Sequence, residues 1–140
     1  MIWHTAVNLD ALHEIQRDTA ADHLGIQFTE FGDNWLMARM AVDSRTVQPF
    51  RILHGGASVL LAETVGSAAS NLCLNNETHY AVGLDINANH IAGARSGNVY
   101  GRAEPIHLGR STHVWQIRIS DDSERLICVS RLTMSILERK

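Results

Sequence analysis

Glu63 is the only carboxylate in LHGGASVLLAETVGSAAS, residues 53–70, a run of otherwise small, apolar or hydroxyl-bearing side chains plus one His. Ser67 follows it by four positions, so on a helix the two share a face. A carboxylate in such a setting can activate water or act as a nucleophile. The competing reading is a helix-edge glutamate whose head simply reaches solvent. Leu60, Leu61, Val65 and Leu72 are expected to surround the pair with apolar contacts.

The start of the same run bears on that choice. His54-Gly55-Gly56 stands where the helix should begin. The first turn of a helix has unpaired amides and the positive end of the dipole. Glycines there allow a substrate close to the backbone, where an amide can hold a developing oxyanion. Gly55 and Gly56 could equally serve only a tight corner. Gln48, one short Pro49-rigidified loop upstream, could reach the helix mouth to fix a carbonyl or a water, or could equally be a surface-loop glutamine.

Eight positions separate Gly55 from Glu63, about 12 Å along a helix axis. Both would need to lie within about 3 Å of one reacting carbonyl. One chain does not easily supply both, so the spacing points to a composite site between two copies related by symmetry.

The elements that must position these groups are legible in the periodicity. Asn8 to Arg17 carries a helical stripe with Asn8 as N-cap, and Thr19 to Leu24 adds a short turn closed by Gly25. Residues 26–31 and 35–42 alternate around Gly32-Asp33-Asn34 and read as a hairpin. A loop leads to the long helix, from His54 to about Leu72 or Cys73. Tyr80 to Ile91 is extended, with Leu84, Ile86 and Ala88 assigned to one face. Strands follow near 97–106, 113–120 and 125–137, and His107 to Thr112 is read as a polar turn between the first two. The expected fold is α+β, one domain over 1–140, with a largely antiparallel sheet wrapped around the long helix. The remaining sheet edge and face need cover, which favours a homo-oligomer.

Composition removes other classes. A net charge of -3 with no basic run gives no electrostatic case for nucleic acid or an anionic membrane surface. Cys73 and Cys128 lack a Cys-x-x-Cys spacing and read as reduced thiols. His4, His13, His23, His79 and His113 have no ligand spacing, so no metal is expected. No secretory leader or membrane-spanning run is seen, and a cytoplasmic protein is the expectation.

The segments MIW, AVDSRTVQPF, LHGGASVLLAETVGS, VGLDINANH, HLGR and VSRLTMSIL resemble the hotdog-fold thioesterases of the phenylacetate-thioesterase-like group, across essentially the whole chain. The resemblance implies a hydrolase of acyl- or aryl-CoA thioesters without a cofactor. The expected substrate is 1,4-dihydroxy-2-naphthoyl-CoA; a thioester on an aryl carrier protein, or acyl-CoA binding without catalysis, are the alternatives. It implies Glu63 as nucleophile or general base and Gly55 as the polarising amide. Gln48 and His54 would orient the substrate, and Ser67 would position water. Gly83, His90, Ile91, Ala92 and Gly93, with His107, Leu108, Gly109, Arg110, Ser111 and Thr112, would contact coenzyme A. A dimer of dimers is implied as well. Arg51 stands where the family usually has Gly, and Ala92 where an Arg commonly follows the Asn-x-Asn-His motif.

Overall fold

The computed structural model describes residues 1–140. Two short helices, α1 (Leu9–Ile15) and α2 (Ala20–His23), precede the hairpin of β1 (Gln27–Phe31) and β2 (Leu36–Ala41). The long helix α3 (Gly55–Leu72) follows, and then β3 (His79–His90), β4 (Asn98–Leu108), β5 (Thr112–Asp121) and β6 (Leu126–Glu138). Asn8 caps α1 through its side-chain oxygen, as the sequence reading expects, and Thr19 does the same for α2.

All six strands form one antiparallel sheet in the order β1-β2-β4-β5-β6-β3. The sheet curls around α3, which packs against β2, β3, β4, β5 and β6. One inward face supplies most of the core. Leu36, Ala38 and Met40 come from β2, Trp115, Ile117 and Ile119 from β5, and Leu132 and Met134 from β6, all without solvent exposure. Small residues on β4 make room for the helix. A β-carbon on Gly101 would come within 3.3 Å of Leu61 Cγ. On the helix side, one on Gly66 would come within 2.6 Å of Leu132 Cδ2, a side chain too enclosed to yield.

A buried polar chain ties α3 to β5. Trp115 Nε1 donates to Ser70 Oγ at 2.7 Å, and Ser70 Oγ lies 2.9 Å from His113 Nδ1. With the indole donating to the hydroxyl oxygen, the hydroxyl proton is free to go to the imidazole. Burial, with the charge of His107 adding to it, holds the His113 pKa below the ordinary histidine range.

Three expectations need correction. Leu84 does not share a face with Ile86 and Ala88. A bulge lies between Gly83, opposite Met134, and Asp85, opposite Thr133, and leaves Leu84 as the extra residue, 66% exposed. The bulge resets the alternation, so Ala81 and Gly83 face α3 before it, and Ile86, Ala88 and His90 after it. Strict alternation cannot foresee an inserted residue. Next, His107 and Leu108 belong to β4, and only residues 109–111 form the turn to β5. Finally, Leu61 and Val65 do not surround Glu63. At about 100° per residue each lies about 200° round the helix from it, and both are sealed against the sheet.

Candidate active site

The N-terminus of α3 leaves a single amide unused. His54 is the N-cap, with φ -68° and ψ 130°, and its Nδ1 accepts from Gly56 N at 2.8 Å. Its carbonyl accepts from Ala57 N and Ser58 N at 3.0 and 3.1 Å. Gly55 N–H, at the first helical position, has no partner. Because His54 Nδ1 is an acceptor, its ring proton is on Nε2, which points away from the cap.

Gly55 also has no room for a side chain. A β-carbon there would lie 2.7 Å from His90 Nε2, so the imidazole from the end of β3 rests against the Gly55 backbone. Gln48 lies across the same opening. Its Oε1 accepts from Phe50 N–H, which turns the amide NH2 outward as a donor. The loop holding it is closed by Arg51 N to Gln48 O at 2.8 Å and Gln48 N to Ile52 O at 2.9 Å. Arg51 takes φ +64°, the left-handed region that glycine enters freely and that costs another residue about 1–2 kcal/mol. A glycine at this position would take the same backbone without that cost.

Gln48, Gly55 and His90 line one cavity of about 360 Å³, together with Ile52, Leu53, Ser58, Ile91 to Gly93 and Ile127. Glu63 and Ser67 are not in it. They line a second cavity of about 360 Å³, with Gln16, Thr19, Leu60 and Thr64, between α3 and the segment before and within α2. Glu63 is half-buried, and Gly83 on β3 lies directly against its carboxylate. Ser67 Oγ has only the thioether of Met134 as a partner, at 3.7 Å. Below the pair, Asn71 fastens β3 to the helix. Its Nδ2 donates to Ser67 O and Ala81 O, and its Oδ1 accepts from Ala81 N.

The turn after β4 lies elsewhere again. Leu108, Gly109 and Arg110 line a third cavity with Cys73, His79 and His113, at the C-terminal end of α3. Within one chain, then, the candidate groups fall into three clusters strung along the helix. Sequence reading missed Thr64, Gln16 and Thr19 beside Glu63, and Ser58 beside Gly55. Thr64 and Ser58 are polar residues on an otherwise apolar helix, which is the signal that could have found them. Gln16 and Thr19 arrive only through the packing of the N-terminal segment.

Comparison with known proteins places these residues in context. The sequence profile of the Thioesterase superfamily matches residues 50–128. The chain is 51% identical to the 1,4-dihydroxy-2-naphthoyl-CoA hydrolase of Escherichia coli, covering 98% of this chain and 100% of that one. It is 44% identical to a proofreading thioesterase of Cronobacter turicensis, over 98% and 99%. The crystal structure of a Gln→Ala variant of a Pseudomonas aeruginosa thioesterase superposes with a TM-score of 0.98 at 50% identity, covering 99% of this chain and 100% of that one. The chain belongs to the thioesterase superfamily, and its antiparallel sheet around a long helix is the hotdog fold of those enzymes.

Proposed function

We propose that the chain hydrolyses an aryl-CoA thioester at a site shared by two copies, with Glu63 of one meeting the Gly55 amide of the other. The unpartnered Gly55 N–H carries this reading. It sits at the positive end of an 18-residue helix, while the carboxylate lies eight residues down the same helix and lines a different cavity. A thioester carbonyl oxygen accepts from Gly55 N–H, and the helix end stabilises the oxyanion. Glu63 either attacks the acyl carbon, giving a mixed anhydride that water then hydrolyses to the free acid and the restored carboxylate, or takes a proton from a water that attacks the acyl carbon itself. The C–S bond breaks and the electron pair leaves with the coenzyme A thiolate. Gln48 NH2 and His54 Nε2–H are the remaining donors at the carbonyl and the thiolate, and Ser67 orients water. His90 to Gly93 and His107 to Thr112 receive the pantetheine and nucleotide.

The 51% identical relative of that name supports 1,4-dihydroxy-2-naphthoyl-CoA as substrate. Cys73 and Cys128 are unpaired, which suits the reducing cytoplasm. A proofreading thioesterase among the relatives supports a second reading, release from an aryl carrier protein. Comparing kcat/KM on the CoA thioester and on the same acyl group held by a carrier separates them; a strong carrier preference selects the second.

The composite site is tested by mixing two inactive proteins. Glu63→Ala removes the carboxylate, and Gly55→Pro removes the amide proton at a position where proline suits a helix. Co-expression makes half the dimers hybrid, each with one intact site, so about a quarter of full activity should return. No recovery in hybrids verified by mass spectrometry overturns the shared site.

A further inference from the structure

We infer that Gly83 is a positioning residue for Glu63, its missing side chain forming the seat on which the carboxylate rests. This rests on the reading of Glu63 as the reacting carboxylate. A β-carbon on Gly83 would overlap Glu63 Oε2 and come within 3.2 Å of its Cδ. Ordinary contact begins near 3.4 Å, so the carboxylate reaches its place only because nothing projects from strand β3 there.

The strand is built to present this gap. Gly83 is opposite Met134, whose side chain is fully buried, so position 83 faces the helix. The bulge follows at once, extruding Leu84 and restoring an inward direction at Ile86, Ala88 and His90. One strand thereby sets its only helix-facing glycine against Glu63 and its last imidazole against Gly55. Asn71 fixes the height of β3 on the helix through three hydrogen bonds to Ser67 and Ala81, two residues from Gly83. The seat is therefore rigid on the strand side, and an added β-carbon must move the carboxylate. Displacing a reacting group by about 1 Å costs on the order of 10²-fold in rate.

Gly83→Ala, assayed on benzoyl-CoA by thiol release, should lower kcat by about 10²-fold and leave KM unchanged. Aspartate is one methylene shorter and draws back from the added carbon. In a Glu63→Asp background Gly83→Ala should therefore cost less than about threefold, the non-additivity expected of groups in contact. A rise in KM with kcat held makes Gly83 a substrate contact and overturns the inference. So does an equal loss in both backgrounds, an unchanged kcat, or a lowered melting temperature, which would mean that the strand gave way instead of the carboxylate. Glu63→Ala in the same series keeps the two readings apart. If it hydrolyses benzoyl-CoA at the parent rate, the catalytic role of Glu63 fails; if it is inactive while Gly83→Ala is normal, only the seat fails.

Discussion

The chemistry of Gly55 reduces to one proton with no acceptor. His54 takes the amide of Gly56 into its ring nitrogen and those of Ala57 and Ser58 into its carbonyl, so the cap consumes every first-turn donor but one. Two substitutions separate that donor from the space around it. In a His90→Ala background, which removes the ring lying against position 55, Gly55→Ala keeps the N–H and should hold kcat within about threefold of the His90→Ala parent. Gly55→Pro in the same background lacks the N–H and should lose about 10²–10³-fold, the usual cost of one oxyanion donor. Steady-state kinetics on an aryl-CoA checks both, and equal activities would remove the amide from the mechanism.

Among the elements, α3 acts as the ruler and the strands as its stops. Gly66 and Gly101 set how closely helix and sheet approach, and the Trp115–Ser70–His113 chain fixes the helix end against β5. That chain makes stability depend on pH in a definite direction. Burial holds the folded-state pKa of His113 below its unfolded value of about 6.5. The unfolded chain then takes up a proton that the folded one resists. The contribution is complete above about pH 6.5 and is lost as pH falls towards the folded value. Melting temperature should drop between pH 7 and pH 5, with at most about 1.4 kcal/mol per pH unit from this one group. His113→Gln, which no longer titrates, should melt with a visibly shallower slope over that range. An identical slope would show that the imidazole is not the sensor.

For the whole molecule the open edge of β3 is decisive. It pairs only with β6, so apart from Ala81, which Asn71 holds, its outer row of amides and carbonyls has no strand partner, and Val82 and Leu84 stand 42% and 66% exposed along it. A second copy would cover this edge and bring a second set of site residues near the first. Placing lysine at both positions, Val82→Lys with Leu84→Lys, forfeits about 1.5–3 kcal/mol of burial per residue and adds charge. The variant should elute as a monomer with a native circular dichroism spectrum, and its kcat/KM should fall by at least about 10²-fold. A fully active monomer in light scattering would remove the need for two copies.

Local chemistry determined much of this protein before any fold was known. The cap at Asn8, the turn at residues 32–34, the helix from 55 and the alternation of Trp115, Ile117 and Ile119 follow from interactions a few residues apart, which a linear sequence carries directly. The eight-residue spacing of Gly55 and Glu63 belongs to the same class, since a helix converts count into distance. What the sequence could not supply was decided by contacts between distant segments. The bulge at Leu84 broke a period of two, the face holding Leu61 and Val65 was taken by the sheet, and Gln16 and Thr19 reached Glu63 only through packing. Above all, a glycine has no side chain to read. That Gly83 is the seat of Glu63 and Gly55 the rest of His90 appears only when strand and helix are brought together, because the property that matters is the space each leaves.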